Sequence, residues 1–348
     1  MSKDPRPVSV CLATCNGSKY LAELLQSIAN QSVLPLEVVI CDDRSSDDTI
    51  EIAEKFAASA PFPVLVHVNE ERLGFAANFM AAASLCRGRI IAFCDQDDVW
   101  HSDKIATISR SFRDGVLMVY HNARVVGPDL SERGLLIADR RQEFASLEDD
   151  PFPFSHGFTQ AFNRELLQFN DLWPVSCWQF DAPAEAPHDR WFIFLAALLG
   201  RVRYVDAALV NYRQHDDNTY GHVESRLWHR FSGFDSAAGV YERRAKVAAN
   251  RAMLAERIME RVETDRREPI SQAVGNYRAL ATRLLERSRA VSAPSITARL
   301  SGLWALCASG AYSGKSKWVF PPAGLPKDLV AGFAPGASRS ASPRVRKS

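Results

Sequence analysis

Short apolar runs alternate with amphipathic stretches over the first third of the chain. The apolar runs predict buried strands at 8–14, 36–42, 64–69 and 89–95. The intervening stretches, at 18–31, 47–59 and 74–86, place apolar residues at helical spacing, and a serine is suited to cap the first of these helices. Continuous apolar strands separated by helices are typical of βαβ units around a mostly parallel sheet. The ligands of such a sheet bind at the carboxyl ends of its strands.

The pattern becomes less regular after about residue 120 and changes again beyond Gly221. There the sequence predicts arginine-rich amphipathic helices at 241–262 and 270–289. The final residues are basic, with many serines and no apolar periodicity, which is typical of disorder. We therefore predict three parts, an α/β domain at 1–221, a helical extension at 222–330 and a disordered basic tail at 331–348.

The composition narrows the class of protein. With 348 residues, 47% of them hydrophobic, the chain can bury a large core, and its formal net charge of +1 gives no overall attraction to nucleic acid. Cys11, Cys41 and Cys94 lie inside apolar runs and no CxxC pair occurs, which favours reduced core cysteines. The N-terminus lacks an apolar signal region, and every apolar stretch is too short to span a bilayer. We expect a soluble, cytoplasmic protein without a nucleic-acid partner.

Polar residues follow the first two predicted strands. The first strand ends in ATCNG, residues 13–17, which lacks the GxGxxG pattern of a dinucleotide site and could simply be a turn into a helix. The second ends in CDDRSSDDTI, where Ser46 or Asp47 is a plausible helix cap. Capping does not explain Asp42 and Asp43, which come earlier, at the strand end. Their carboxylates could accept hydrogen bonds from a base or a ribose, or could be structural.

A third cluster, DQDD, follows the strand at 89–95. Clustered carboxylates repel one another and lose hydration when buried, so Asp95, Asp97 and Asp98 need either open water or a cation. The D-x-D spacing suits a shared Mg²⁺ or Mn²⁺. The alternative is a solvated acidic loop in which Asp98 caps the next helix. The position of DQDD, beside two other polar loops on the same predicted edge, favours the metal.

The chain resembles the family-2 glycosyltransferases. The resemblance is carried by VSVCLATCNG, LPLEVVICDDRSSDDT, RLGFAANFM and FCDQDDVW, and then by SHGFTQAFNREL, PHDRW and NYRQHDDNTYG, in that order over about residues 8–221. The second group is similar to the rhamnosyltransferase-like branch, which adds sugars to cell-surface polysaccharides. The resemblance implies the Rossmann-like, mostly parallel sheet of the A-type glycosyltransferase fold. Its nucleotide-binding half would be at about 8–120 and its acceptor half at 121–221.

The resemblance also implies roles for single residues. Ala13, Cys15, Asn16 and Gly17 would line the base pocket, Asp43 would accept the ring N–H of uracil or thymine with Asp42 beside it, and Asp95 would lie near the ribose or the sugar. Asp97 would be the principal ligand of Mg²⁺ or Mn²⁺, supported by Asp98, and His215 would approach the metal or the diphosphate. Asp189 would be the general base, although a helix cap is the alternative for this residue. Relatives often have an aromatic residue where Cys15 stands, so stacking on the base is expected to be weaker here.

The implied activity is a metal-dependent, inverting transfer of a sugar from a dTDP- or UDP-linked donor to a hydroxyl of a cell-surface glycan or lipid-linked acceptor. Rhamnose is the family-level expectation. A nucleotidyltransferase acting on sugar phosphates and a noncatalytic nucleotide-sugar-binding protein are the alternatives. For 222–348, aromatic and basic residues at 228–234 and 300–318 suggest peripheral contact with the inner face of the cell membrane. A helical appendage that packs on the catalytic domain or forms a homodimer is the alternative.

Overall fold

The structure is a computed structural model. It describes residues 6–113, 115–139, 143–145, 147, 150–177, 186–216, 237–314, 318–320, 322 and 324–333. These residues form two compact units. The first contains the described residues up to 216, except 150–151 and 176–177; the second contains those four and everything described from 237 onwards.

A parallel sheet opens the first unit. Its strands are β1 (Val8–Thr14), β2 (Glu37–Asp42), β3 (Val64–Val68) and β4 (Ile90–Cys94), joined by helices α1 (Ser18–Ala29), α2 (Thr49–Ala57) and α3 (Phe75–Leu85). They lie in the order β3-β2-β1-β4, with Thr14 paired to Asp42 and Asp42 paired to Val68. The carboxyl ends of these strands therefore lie side by side, as the hydrophobic pattern predicted.

The rest of the first unit extends this sheet with mixed pairing. The further elements are β5 (Val99–Trp100), α4 (Lys104–Ser111), β6 (Val116–Val126), β7 (Glu132–Leu135), β8 (Phe144–Ala145), β9 (Gln160–Asn163), α5 (His188–Leu199) and β10 (Arg201–Arg213), with 3₁₀ segments at Gly157–Thr159 and Arg164–Val175. The sheet continues as β4-β9-β6-β10-β5, while β7 pairs with β6 and β8 with β10. The longest new pairing, β6 with β10, is parallel, whereas β9 is antiparallel to both of its neighbours.

Apolar side chains on both faces of β1, β2 and β4 form the core. All the side chains of β2 and β4 are buried, and α1 covers the sheet with Leu21, Leu24, Leu25 and Ile28. The predicted serine cap of α1 is wrong, because Gly17 holds the cap position and no side chain of the cap residue bonds the helix. The N–H of Ser18 instead donates to Asp47 Oδ2 at 3.1 Å, so a neighbouring loop supplies the capping oxygen.

The second unit is helical in the part that is described. It contains α6 (Ala237–Met259), α7 (Thr264–Ser292), α8 (Ile296–Ala308) and α9 (Gly324–Phe333). Inside it, Arg287 Nε donates to the fully buried Asp328 carboxylate at 2.5 Å. The hydroxyls of Tyr241 and Tyr312 also donate to this carboxylate. Helix α9 includes the first three residues of the predicted tail; residues 334–348 lie outside the described residues. None of the described helices combines the length and apolar character that crossing a bilayer requires.

Candidate active site

The loop after β1 is held by side chains from other loops. Four successive backbone N–H groups donate to side-chain oxygens, from Cys15 to Gln96, from Asn16 to Ser45, from Gly17 to Thr49 and from Ser18 to Asp47, at 2.8–3.1 Å. A phosphate-binding loop keeps such N–H groups for the anion. This loop therefore cannot cradle a phosphate in its present conformation, which agrees with the absence of GxGxxG.

Gln96, the middle residue of D-x-D, joins this loop to the acidic cluster. Its Oε1 accepts from the N–H of Cys15 at 2.9 Å, and its Nε2 donates to the Cys15 carbonyl at 3.1 Å. Gly17 lies so close that a Cβ there would be 2.3 Å from Gln96 Oε1. A side chain at residue 17 would thus displace Gln96. Sequence reasoning gave Gln96 no role, since nothing local indicates a contact across 81 positions.

The residues predicted to line a base pocket lie near one another. Cys15 Sγ is 3.7 Å from the carbonyl of Asp43, and Asn16 adopts a positive φ of 50°. Its Oδ1 accepts from the N–H of Ser46 at 2.8 Å, so the first loop and the loop after β2 are bonded together. Ala13 and Cys15 are half-buried, Asn16 is exposed and Gly17 is buried. Burial raises the pKa of the Cys15 thiol, so this side chain is neutral at ordinary pH.

Asp43 is buried and already well bonded. It accepts from the N–H groups of Leu73 and Gly74 at 2.7 and 2.9 Å and from Asn69 Nδ2 at 3.0 Å. Burial alone would raise its pKa, but these bonds outweigh burial and lower it. Three of the roughly four acceptor positions of a carboxylate are thus occupied, and one on Oδ2 remains. Asn78 on α3 donates to the Cys41 carbonyl and accepts from Asn69, a buried amide pair that the sequence did not reveal.

Asp42 is bonded in the same way, by other donors. It accepts from the hydroxyl of Thr14 at 2.8 Å and from the N–H and hydroxyl of Ser45 at 2.7 and 2.6 Å. Asp48 holds the cap position of α2 without a side-chain bond, so the predicted cap Ser46 is wrong. The other predicted cap, Asp47, does bond the helix, because its Oδ1 accepts from the N–H of Thr49 at 3.2 Å. Its Oδ2 accepts from the N–H of Ser18. The carboxylates of Asp42 and Asp47 therefore fasten these loops to one another.

The surroundings of the three DQDD carboxylates differ from those of Asp42 and Asp43. One oxygen from each of Asp95, Asp97 and Asp98 lies within 4.8 Å of the other two. Asp98 is fully buried; its Oδ1 accepts from the N–H of Arg213 at 3.1 Å, and its Oδ2 has no hydrogen-bond partner among the described residues. A solvated acidic loop with Asp98 as a helix cap is therefore wrong, since Asp103 is the cap residue of α4.

The pKa values of these carboxyls reflect unbalanced negative charge. Burial, then the charges of Asp97 and Asp189, raise the pKa of Asp95 to about 7. Burial, then Asp97 and Asp95, raise that of Asp98. Buried carboxylates with an unpartnered oxygen are a donor set that fits a hard divalent cation, because the cation would supply the missing partner and the missing charge.

A buried lysine lies beside this cluster. Lys104 Nζ donates to the Phe158 carbonyl at 2.9 Å and lies 3.6 Å from the ring centroid of Trp100. Burial lowers its pKa to about 8, while the charges of Cys94, Asp98 and Asp95 oppose that shift. One lysine cannot balance three carboxylates, so negative charge remains at this cluster.

The end of β10 brings His215 to the cluster. His215 Nε2 lies 2.8 Å from Asp97 Oδ2. Arg213, almost fully buried, donates from Nε to the Asp97 carbonyl at 2.9 Å and from Nη2 to Glu23 on α1. Arg213 thus ties the backbone of the acidic loop to Glu23 on α1. Sequence reasoning missed it, although a charged residue at the end of an apolar strand is a signal that a partner is needed.

Asp189 lies in the first turn of α5, and its charge acts on Asp95 of this cluster. Its cap interpretation is wrong, because Pro187 holds the cap position and the helix begins at His188. Burial raises the pKa of Asp189 to about 6, against the opposing charge of Arg190, and the charge of Asp189 in turn raises the pKa of Asp95. Gln160 on β9 donates from Nε2 to the Asp189 carbonyl at 3.1 Å and so fixes the start of α5.

His188 anchors the same turn in an aromatic environment. Its ring stacks on Phe79 with centroids 4.0 Å apart and meets Phe93 edge-on at 4.7 Å. Burial lowers the pKa of His188 to about 3, so the ring is neutral. A Cβ on Gly157 would be 2.6 Å from His188 Nε2, which means that only glycine leaves room for this ring position.

Known proteins share this sequence pattern. The sequence model of the family described as Glycosyl transferase family 2 matches residues 9–169. The dTDP-rhamnosyl transferase RfbG of Shigella flexneri is 36% identical over 222 residues, which are 60% of this chain and 73% of that protein. Abequosyltransferase RfbV of Salmonella typhimurium is 30% identical over 43% of this chain and 44% of its own length. A Nostoc protein described as an uncharacterized glycosyltransferase is 26% identical over 61% of this chain. The chain spans 66% of the length of that relative, just under two thirds, and less of RfbV.

The fold is shared with a solved structure. S. aureus TarS, determined in complex with UDP-GlcNAc, superposes with a TM-score of 0.54 at 19% identity, covering 88% of this chain and 92% of that one. Together with the sheet order described above, this likeness identifies the A-type glycosyltransferase fold. The identity with the rhamnosyl transferase, extending over nearly three quarters of that relative, shows that this chain belongs to glycosyl transferase family 2.

Proposed function

We propose that the protein is a metal-dependent, inverting glycosyltransferase that moves a sugar from a dTDP- or UDP-linked donor to an acceptor hydroxyl. The observation that carries this proposal is the acidic cluster. In it, Asp98 Oδ2 is buried without a hydrogen-bond partner among the described residues, and the charge of Asp189 raises the pKa of Asp95. A cation site and a carboxyl of raised pKa are what glycosyl transfer from a nucleoside diphosphate needs.

Asp97, Asp98 and His215 are the residues that would hold Mg²⁺ or Mn²⁺. When bound there, such an ion neutralises the negative charge of the departing nucleoside diphosphate. The protein contributes rigidity, because Arg213 holds the carbonyl of Asp97 and the carboxylate of Asp98 through separate bonds. The backbone of Asp97 and the carboxylate of Asp98 are therefore held in place before any substrate arrives.

The nucleotide side would be formed by Ala13, Cys15, Asn16 and Gly17 together with Asp42 and Asp43. Asp43 has one remaining acceptor position for the ring N–H that uracil and thymine share, and its lowered pKa keeps it an acceptor. Cys15 gives a small polarizable wall where an aromatic ring would stack more strongly. Asp95, a half-buried member of the acidic cluster, would lie near the ribose or the sugar.

Asp189 would act as the general base. It would take the proton of the acceptor hydroxyl as that oxygen bonds to the anomeric carbon, while the bond from that carbon to the diphosphate oxygen breaks. A single displacement of this kind inverts the configuration and needs no covalent sugar–enzyme intermediate. A pKa of about 6 makes Asp189 more basic than an ordinary carboxylate and still ionised at neutral pH.

Our proposals for the sugar and the acceptor are based on the relatives. Because one relative is described as a dTDP-rhamnosyl transferase, we propose rhamnose as the sugar, and a cell-surface glycan or lipid-linked acceptor. We place the reaction in the cytoplasm, at the inner face of the membrane. A nucleotidyltransferase is less well supported, because the N–H groups of the first loop are occupied by side chains and only Lys19 adds a basic residue there.

The test is a panel of nucleotide sugars with the full chain. We expect a dTDP- or UDP-linked sugar to raise the melting temperature in the presence of Mn²⁺, and the nucleoside diphosphate to be released on addition of acceptor or, slowly, water. Asp189→Asn should retain the thermal shift and lose turnover. Release of pyrophosphate from a nucleoside triphosphate and a sugar phosphate would instead establish a nucleotidyltransferase. A thermal shift without turnover in any condition would indicate a noncatalytic nucleotide-sugar-binding protein.

A further inference from the structure

The ring of Tyr20, on α1, contacts the residues at the end of β10. The ring centroids of Tyr20 and His215 are 5.0 Å apart, and the two planes are tilted by 39°. The guanidinium carbon of Arg213 lies 4.4 Å from the centroid of the same Tyr20 ring. Aromatic rings are attracted both to other flat π systems and to cations in such positions. Tyr20 is therefore in contact with both side chains that the end of β10 brings to the acidic cluster.

The hydroxyl group of Tyr20 does not explain this placement. The residue is half-buried, but its hydroxyl oxygen is buried and has no hydrogen-bond partner among the described residues. A buried hydroxyl without a partner lowers stability, and a phenylalanine at the same position would avoid this loss. The side-chain contacts that the structure shows for Tyr20 are those of its ring.

Arg213 gives the Tyr20 ring a fixed neighbour. The side chain of Arg213 is 3% exposed, and it donates to the carbonyls of Asp97 and Pro128 and to the carboxylate of Glu23. Glu23 lies three residues after Tyr20, which places the two on one face of α1. Helix α1 thus contacts one guanidinium through a ring and through a carboxylate. Because the other bonds of Arg213 restrict its movement, the Tyr20 ring is held beside the acidic loop.

His215 lies just beyond the backbone pairing of the sheet. The N–H of Gln214 still donates to the Val126 carbonyl, at 2.9 Å, and His215 is the next residue. The His215 side chain is 11% exposed, and its Nε2 lies 2.8 Å from Asp97 Oδ2. One bond to a carboxylate leaves an imidazole free to tilt about its side-chain torsions. Contact with the Tyr20 ring restricts that tilt.

We propose that Tyr20 is a positioning residue of the metal site, whose ring holds the His215 imidazole against Asp97. Groups that orient the ligands of a metal affect its affinity without touching it, and their loss typically costs about 10–100-fold. The inference rests on the proposed function for the cation site formed by Asp97, Asp98 and His215. It deepens that function by extending the site to a ring on α1.

The test measures the Mn²⁺ affinity of the full chain by electron paramagnetic resonance, in which free Mn²⁺ gives a sharp signal that binding broadens. Tyr20→Phe keeps the ring, whereas Tyr20→Leu removes it. We expect Tyr20→Leu to weaken Mn²⁺ binding by about tenfold or more, and Tyr20→Phe to stay within about twofold of the wild type. The matched control is Phe56→Leu, which removes a half-buried ring of α2 that contacts Phe62. It should lower the melting temperature and leave Mn²⁺ affinity unchanged.

A double-mutant cycle shows whether Tyr20 acts through His215. In the background of His215→Ala, Tyr20→Leu should cost little further Mn²⁺ affinity, because the imidazole that the ring positions is gone. Turnover gives a second readout. The Tyr20→Leu variant should need about tenfold more Mn²⁺ for half of its maximal rate, and its kcat should approach that of the wild type when Mn²⁺ saturates.

Three outcomes would overturn the proposal. Equal Mn²⁺ affinity of the wild type and Tyr20→Leu would show that the ring does not position a ligand. Equal losses in Tyr20→Phe and Tyr20→Leu would assign the effect to the hydroxyl group. A full further loss on adding Tyr20→Leu to His215→Ala would show that Tyr20 acts through another residue.

Failure of the proposed function would give a different result. If the wild type binds no Mn²⁺, the metal role of the acidic cluster fails, and proton NMR of the metal-free chain then tests the contact between the two rings. The ring protons of His215, identified by their loss in His215→Ala, should be shifted by the Tyr20 ring in the wild type and in Tyr20→Phe. The shift should disappear in Tyr20→Leu. The same His215 signals in all three proteins would overturn the positioning role of Tyr20.

Discussion

Two carboxylate clusters at the same edge of the sheet differ in how they are satisfied. Asp42 and Asp43, at the end of β2, each accept three hydrogen bonds. Asp98, after β4, is more deeply buried and accepts one, leaving Oδ2 without a partner among the described residues. The residue type and the position in the fold are the same. The number of donors aimed at each cluster is what separates an anchored pair from a site that a cation would complete.

The pKa shifts of the carboxyl groups differ between the two clusters in the same way. Hydrogen bonds outweigh burial at Asp43 and lower its pKa, whereas burial and neighbouring negative charge raise those of Asp95 and Asp98. Clustered aspartates are therefore not in themselves a sign of metal binding. The sign is a buried carboxylate oxygen for which the protein supplies no donor.

Removing Asp97 should give the largest effect. Asp97→Ala deletes the carboxylate that contacts His215 and should lower turnover by about 10³-fold, since a metal supplies several kcal/mol of transition-state stabilisation. EDTA should abolish transfer by the wild type, and Mg²⁺ or Mn²⁺ should restore it. Asp48→Ala, which removes an exposed acid from a neighbouring loop, is the control and should leave turnover unchanged. Full activity of the wild type in chelator would contradict a metal role for the DQDD cluster.

Asp189→Asn should come next, with turnover reduced roughly 10²–10⁴-fold. The amide keeps the shape of the side chain and removes its basicity, so donor affinity should stay within a few-fold of wild type. Calorimetric titration with the donor in the presence of Mn²⁺, beside a turnover assay, checks both statements. Turnover within a few-fold of wild type would mean that Asp189 is not the base.

The pH profile of the wild type sharpens the assignment of Asp189. A base works when deprotonated, so kcat/KM should fall about tenfold for each pH unit below its pKa of about 6 and level off above it. Ordinary aspartates, with a pKa near 4, would place that break about two units lower. A profile that is flat through pH 6 would contradict the raised pKa.

The hydrophobic pattern predicted the first four strands and the meeting of their carboxyl ends, because burial on both faces leaves a continuous apolar run. It could not predict that β9 inserts antiparallel between β4 and β6, since burial does not report strand direction. Roles for Asp97, Asp189 and His215 came from the resemblance. The donors that distinguish the clusters, such as Gln96, Asn69 and Arg213, act across long sequence separations that no local pattern records.

Gln96 offers a smaller, sharper test of how the two clusters are joined. Gln96→Leu removes both bonds to Cys15, and at about 1 kcal/mol each this should weaken nucleotide affinity measured in EDTA by roughly tenfold or more. Gln96→Glu should be no better, because its carboxylate would face the Cys15 carbonyl. Mn²⁺ affinity without nucleotide should change little, since both polar atoms of the Gln96 amide are bonded to Cys15. A loss of Mn²⁺ affinity equal to the loss of nucleotide affinity would show that Gln96 acts on the metal loop alone.

The smallest expected effect compares the clusters through stability. The pKa of Asp95, about 7, lies above its value in an unfolded chain, so its contribution to stability is full below the unfolded value and is lost as pH rises through about 7. A bound cation would replace the proton, and the gain in melting temperature on adding Mn²⁺ should therefore increase by a few degrees, roughly, between one unit below and one unit above that pH.

Asp43 supplies the internal control for this measurement. Because its pKa is lowered, its contribution is present above the unfolded value and is lost only as pH falls through the folded one, well below the window in which Asp95 titrates. Asp43→Asn should therefore leave the pH dependence of the Mn²⁺ gain as it is in the wild type, whereas Asp95→Asn should remove most of it. A gain that is the same at both pH values in the wild type would mean that no cation replaces protons at the acidic cluster. The difference between the two carboxylate sites would then be one of burial alone.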